Sequence, residues 1–424
     1  MKIFTAILRT LALACALVCI SPAVVAKDYT TTLAENVSVT YAVNTTDLIA
    51  RVKRVYVFTG TPPKSIEVPK TVKYKSGDKT YSLTVTKIGD GAFEQVEIKK
   101  IVLPNTITYI GNDAFNFSYV ENLNIPTSVE TIGDRAFYCS SIKSAVIPGT
   151  CKSIGTDAFK DCEIESVTFE ESRTPLSIGK SAFEWSKLKS VTLPFRLSSM
   201  GACAFVSCRW LTNVNIMSAT SIPEQCFNYC TSLRSVRLPS GVTAIGEMAF
   251  QDCWQLESFD SLLPALRTIG SFAFCRAGLN AINLPEGLMA IGNHAFEDNV
   301  SLKRITFPST LKNIGDDCFA GCDAIESVSC DAVTPPVAGV NCFSADCSKI
   351  PAYVPEQSVS AYERAYCWSA FDYSHYKRTG VESVLSEDAR VMLYDLQGRP
   401  LPDGILSRGV HIEVTGNHSR IVLK

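Results

Sequence analysis

Apolar and polar positions follow one phrase that the chain repeats, and its clearest copy is Leu233 to Phe250, LRSVRLPSGVTAIGEMAF. The first half, Leu-x-x-Val-x-Leu-Pro, recurs as Leu188, Val191, Leu193 and Pro194, and again as Leu302, Ile305, Phe307 and Pro308. Alternation puts the two apolar side chains of Val-x-Leu on one face of a short strand. Proline then removes a backbone donor and ends the strand. The second half closes on Ile-Gly-x-x-Ala-Phe, with its phenylalanine at Phe93, Phe115, Phe137, Phe159, Phe183, Phe205, Phe227, Phe250, Phe274, Phe296 and Phe319. The intervals are 22, 22, 22, 24, 22, 22, 23, 24, 22 and 23 residues, and a degenerate copy follows at Phe343. A fixed period of this length predicts a solenoid.

Glycine follows the apolar residue in ten of eleven copies, Pro223 being the exception, which suits a tight reversal. The next position holds Asp90, Asn112, Asp134, Thr156, Ser271, Asn293 or Asp316 in seven copies. These residue types cap helices, so Ala-Phe is expected to open a single helical turn. One turn buries nothing alone. Stacked turns bury a continuous core, with parallel strands about 4.8 Å apart.

The full pattern, Leu-x-x-Val-x-Leu-Pro through Ile-Gly-x-x-Ala-Phe-x-x-Cys, resembles the BspA-like class of leucine-rich repeat proteins over residues 87–372. The resemblance implies a leucine-rich repeat solenoid with a parallel sheet and short helical or irregular connecting segments. It also implies a bacterial cell-surface or secreted protein of adhesin type. No catalytic residue carries over, because the motif is structural.

The flanks differ from the repeats. Residues 1–26 have the form of a signal peptide: Lys2, an apolar run from Leu11 to Ile20, and Val24-Val25-Ala26 before Lys27. No later segment is long and apolar enough to cross a membrane. Residues 27–86 are expected to form a small β cap. Val37 to Val43 alternates like a strand, and Val52 to Phe58 is β-rich. Ser65 to Pro69, the Ser76-Gly77-Asp78 turn and Tyr81 to Val85 read as a hairpin. At the far end, Tyr362 to Phe371 resembles the aromatic cap common in BspA-like proteins. Residues 380–424 contain three strand-like stretches around Val391, Val410 and Ile421, separated by glycine turns. They resemble the C-terminal sorting domain of the Bacteroidetes type IX secretion system, which implies delivery by that machinery.

Composition narrows the function classes. Net charge is −2, which does not advertise nucleic-acid binding. Residues 27–87 hold ten Lys/Arg against five Asp/Glu, and residues 88–424 hold 28 against 37. The basic end reads as a solvated surface. Fifteen cysteines remain beyond the signal peptide, and Cys162, Cys208, Cys230, Cys253 and Cys322 each sit three residues after the repeat phenylalanine. That placement makes them buried thiols of the core, not a metal set or a disulfide framework. The four histidines, His294, His375, His411 and His418, lie in no catalytic motif. A non-catalytic protein without cofactor or metal is expected.

Two exposed columns remain. The residue after each copy's first apolar position reads Lys99, Glu121, Lys143, Glu165, Lys189, Thr212, Arg234, Glu257, Asn280, Lys303, Glu326, with no adjacent like charges. An ion ladder that favours register follows. The column inside the Val-x-Leu pair includes Arg237, Asp260, Asn283 and Thr306, the candidate binding face for a protein or other extracellular macromolecule, such as a host matrix protein. A plain solvated face would look the same. Trp185, Trp210 and Arg237 are further anchors of the type binders use, dispersed along the sequence. The alternative class is a structural spacer of the bacterial envelope.

Overall fold

A computed structural model describes residues 27–58, 61–172, 174–258, 263–343 and 346–377, with strands at 392–394, 410–415 and 418–423. The signal-peptide reading and Asp260 lie outside the described residues. The chain divides into two compact units between Tyr373 and Ser374.

The first unit is a parallel β-solenoid of about 11 turns. Each coil supplies its Val-x-Leu segment as one short strand, and successive copies pair in register. Ser144–Ile147 pairs with Ser166–Phe169, while Ser190–Leu193, Asn213–Ile216 and Ser235–Arg237 form a second set. Ala281–Asn283, Arg304–Phe307, Ser327–Cys330 and Ala352–Tyr353 form a third. Inside, the repeat phenylalanines form one continuous stack from Phe93 to Phe343. Neighbouring rings are 4.8–5.4 Å apart and within 11° of coplanar.

A second strand precedes each glycine, as in Tyr109–Ile110, Thr131–Ile132 and Ser153–Ile154, and it makes its own parallel sheet. The glycine has a different reason from the expected reversal. A Cβ on Gly111 would lie 2.7 Å from the carbonyl carbon of Gly89, and one on Gly155 would lie 2.5 Å from the amide nitrogen of Asp134. Coils approach too closely there for any side chain. The glycine N–H also bonds the preceding coil, Gly201 to Ile178 O at 2.8 Å for example. Pro223 has no N–H to give. The second sheet divides at that coil, between Leu197–Met200 and Ser221–Ile222.

The helical turn after the glycine is not formed. Two residues per coil are left-handed instead: Asp113 and Phe117, Arg135 and Cys139, Asp157 and Asp161, and so on along the array. Such backbone costs on the order of 1–2 kcal/mol per non-glycine residue. Bonds between coils offset it. Phe115 N–H reaches Ala136 O, and Phe137 N–H reaches Ala158 O, both at 2.7 Å. The expected helix caps serve the same purpose. Asp90, Asn112 and Asp134 each accept, through Oδ1, the backbone N–H of the equivalent residue one coil on, at 3.0, 2.9 and 2.8 Å.

At the N-terminal end, Lys27–Ala34, Val37–Asn44 and Ile49–Val57 run antiparallel, and Ile49–Val57 pairs in parallel with Lys79–Ile88. Thr71–Ser76 and Lys79–Ile88 make the hairpin around Gly77. Ser65–Glu67 does not join that hairpin. It pairs in parallel with Lys100–Val102, because Ile66-x-Val68-Pro69 already fits the strand template. At the other end Trp368 is fully buried edge-on to Phe307, Phe343 and Tyr362, and its Nε1 donates to Pro336 O at 2.9 Å.

The second unit contains three antiparallel strands, Met392–Tyr394, Val410–Thr415 and His418–Leu423.

Candidate functional site: an aromatic edge

The turn after each buried phenylalanine is the variable part of the coil. Its left-handed residue, two positions on, carries Trp185 (φ 61°) and Tyr229 (φ 58°), and both side chains are exposed. Trp210 and Trp254 occupy the next positions of the same turn, five and four residues after their phenylalanines, and are exposed too. Phe183, Phe205, Phe227 and Phe250 stack at 5.3, 5.4 and 5.4 Å, so these four aromatics stand on four consecutive coils. They form a row along one edge of the solenoid.

Two of the four are held in place. The Arg209 guanidinium lies over the Trp185 ring, 5.5 Å from its centroid, within the range of a cation–π contact. Asp252 holds Trp254 by accepting its Nε1–H at 3.2 Å. Asp252 is itself gripped by Arg276 Nε and Nη2 at 2.7 and 2.8 Å, and its side chain is only 3% exposed. That bidentate bond pushes the Arg276 guanidinium pKa up. An exposed tryptophan pinned to a buried carboxylate loses little freedom on binding.

The polar column expected to bind is less concentrated. Arg237 is exposed beside Asn215, and Asn283 pairs in register with Thr306. Among the described residues, Arg237 and Asn283 belong to separate strand sets. Trp185 and Trp210, dispersed in the sequence, fall on adjacent coils. Arg209, Tyr229, Trp254 and the Asp252–Arg276 pair were not legible as members of one site. Their signal is the slot two to five residues after the repeat phenylalanine.

The ion ladder is partly as expected. Lys99–Glu121, Lys189–Glu165 and Lys303–Glu326 pair at 3.3, 2.6 and 3.1 Å. Lys143 departs from it and bonds Glu163 at 3.1 Å, a carboxylate that Lys187 shares at 2.7 Å. The two lysines hold the Glu163 carboxyl below its ordinary range, Lys187 most strongly.

The cysteines do more than fill space. Cys208, Cys230, Cys253 and Cys322 donate S–H to the carbonyls of Phe183, Phe205, Phe227 and Phe296 one coil back, at 3.1–3.2 Å. Asn299 does the same with Nδ2 to Phe274 O at 2.7 Å. Burial pushes the thiols up, Cys151 to about 11 and Cys322 to about 12, which leaves them protonated and unreactive at neutral pH. Among the described residues no two cysteines are joined in a disulfide.

Stacked parallel coils, each with one buried phenylalanine and a short Val-x-Leu strand, define a leucine-rich repeat solenoid. The profile of the BspA type leucine rich repeat region, in 6 copies, matches residues 54–177, 173–264 and 261–369. The chain belongs to that family. Among solved structures, a leucine-rich repeat protein from Bacteroides ovatus ATCC 8483 is 24% identical, with 76% of this chain and 79% of that one covered and a TM-score of 0.53. That likeness concerns the fold. A leucine rich cell surface protein from Faecalibacterium prausnitzii A2-165 is 22% identical over 72% of this chain and 94% of its own, with a TM-score of 0.37. The pneumococcal vaccine antigen PcpA is 20% identical over 82% and 97%, with a TM-score of 0.45. No curated protein matches the chain. Among the described residues no helix is long and apolar enough to cross a membrane.

Proposed function

We propose that this is an exported bacterial protein, displayed at the cell surface or released, whose solenoid binds a macromolecular partner through the aromatic edge. The observation that carries the reading is the row of Trp185, Trp210, Tyr229 and Trp254 on consecutive coils, with two of them pinned. Exposed tryptophan, tyrosine and arginine are the residues that dominate protein interfaces. A spacer needs a continuous core and paired columns, but it has no use for ordered tryptophans in solvent. The reading is non-catalytic.

Export is supported by the pattern of residues 1–26, and sorting by the glycine-punctuated stretch 380–424. Both are inferences from sequence. The type IX machinery is the proposed carrier, and an adhesin-like role toward host matrix or serum proteins is the proposed outcome.

The test compares immobilised mature protein with its W185A/W210A/W254A variant for retention of matrix and serum proteins. Retention by the parent and its loss in a variant of unchanged melting temperature is expected. Equal retention by both would remove the edge from the account.

A further inference from the structure

Both sheets of the solenoid are interrupted at one coil, residues 188–200. The first sheet breaks on the near side of that coil, where Ser166–Phe169 is not paired with Ser190–Leu193. The second breaks on its far side, where Leu197–Met200 pairs back to Leu176–Ile178 but not on to Ser221–Ile222. Pro223 accounts for the second break. The glycine it replaces donates its N–H to the preceding coil, as Gly201 does to Ile178 O and Gly246 to Ile222 O, both at 2.8 Å, and proline has no N–H. The coil is therefore a splice. Its first strand is bonded forward to Asn213–Ile216 and its second strand backward to Leu176–Ile178. The chain crosses between them at Pro194, Phe195 and Arg196. A cleft opens at each break, of about 310 Å³ beside Phe195 and about 230 Å³ between Leu197–Met200 and Pro223. Elsewhere one sheet covers for the other. The first sheet also stops between Asn122–Leu123 and Ser144–Ile147, but there the second runs through from Tyr109–Ile110 to Ser153–Ile154. Among the described residues it stops again between Ser235–Arg237 and Ala281–Asn283, where Ala244–Ile245, Thr268–Ile269 and Ala290–Ile291 run through.

We infer that this coil is a hinge, which divides the solenoid into two arms, residues 27–187 and 202–373, that flex and open separately. A repeat array is held by the contacts between neighbouring coils, so it yields first where those contacts are fewest. What crosses the hinge unbroken is the ladder of turn bonds and the ring stack. Phe183 N–H reaches Ala204 O and Trp185 N–H reaches Val206 O, both at 2.8 Å, and Phe205 N–H reaches Cys226 O at 2.9 Å. The rings of Phe183, Phe205 and Phe227 follow one another at 5.3 and 5.4 Å. The turn ladder lies along one edge and acts as a spine, about which the two sheets part. A few residues at the ends of elements absorb such a motion, and Pro194, Phe195 and Arg196 are placed to do so. Trp185 and Trp210 stand on the spine, so the row keeps its spacing while the faces on either side adjust. The hinge follows from the ladders alone and does not depend on the binding reading.

The test is hydrogen exchange of the full mature chain across a denaturant series, read by mass spectrometry on peptides from residues 100–169 and 243–307. The two sets should lose protection at separate midpoints, with the change falling between residues 188 and 223. P223G restores the missing N–H and should bring the two midpoints together. P239G is the control. It brings the same loss of chain stiffness on a coil whose second strand, Ala244–Ile245, is paired on both sides, and it should leave the midpoints apart. A single midpoint for all peptides of the parent chain would overturn the inference, and so would a boundary between residues 123 and 144. The parent chain alone decides both points if P223G does not fold. A folded P223G whose midpoints stay as far apart as those of P239G would overturn the role given to Pro223 and with it the hinge.

Discussion

The rings of Phe159 and Phe183 lie 5.1 Å apart and 1° from coplanar, although 24 residues separate them where most neighbours are separated by 22. The two extra residues fall between Phe169 and Leu176 in the sequence, and a cleft of about 310 Å³ lined by both opens there beside Phe195. The first sheet breaks there, with Ser166–Phe169 not paired to Ser190–Leu193, while Leu176–Ile178 keeps its partners on both sides in the second sheet. The core thus keeps its spacing while the surface gives way. Phe183→Ala should lower stability by about 3–5 kcal/mol, as expected for a buried aromatic truncation. Denaturant unfolding measures it, and an unchanged midpoint would place this ring outside the stack.

The glycine column makes a sharper steric prediction. Gly155→Ala puts a methyl group 2.5 Å from the Asp134 amide nitrogen and 2.6 Å from the carbonyl carbon of Gly133, both backbone atoms. Overpacking of this kind costs roughly 1–3 kcal/mol. Gly241→Ala is the control, since its nearest atom is 4.0 Å away and its φ is not left-handed. The two melting curves should separate clearly.

Thiol reactivity follows burial. In the native protein at neutral pH, a thiol reagent should modify Cys139, Cys203 and Cys367, the three half-buried cysteines, well before the rest. In denaturant without reductant, most of the fifteen mature cysteines should react. Recovery of only one or two would mean that the chain carries disulfides.

Acid sensitivity should trace in part to Glu163. Its folded pKa is depressed by Lys187 and Lys143, so its contribution is present above the unfolded carboxylate value of about 4.3 and is lost as pH falls through the folded value. Glu163→Gln should therefore melt below the parent at neutral pH, and the difference should shrink in acid. The side chain is 39% exposed, so the effect is small and weakens with salt. A difference that grows in acid would contradict the assignment.

Deleting residues 380–424 should leave the solenoid's melting temperature unchanged, because Trp368 already closes its last coil against Phe343. If the deleted part is a sorting signal, the truncated chain stays in the periplasm. Normal surface delivery would refute that role, which fractionation decides.

The period and the buried phenylalanines were legible because every coil repeats the same apolar spacing. The turn was not. Asp90, Asn112 and Asp134 favour a helix start locally, yet their side chains bond the next coil, a partner 22 residues away. Two-residue strands such as Thr131–Ile132 are too short to show alternation. The aromatic edge was half legible. Trp185 and Trp210 stand out in composition, but Trp185 and Tyr229 share one slot of the repeat while Trp210 and Trp254 occupy two others. Only the path of the coil brings those slots to one edge.

The binding edge is tested most directly by oxidative footprinting of the tryptophans, with and without the matrix or serum protein that the mature chain retains. The sequence has four tryptophans, and the free protein should be oxidised at Trp185, Trp210 and Trp254 but not at the fully buried Trp368. With the partner bound, the three exposed tryptophans should be protected together. Protection confined to the Asn283–Thr306 column or the N-terminal strands, with the three tryptophans as reactive as before, would contradict the account.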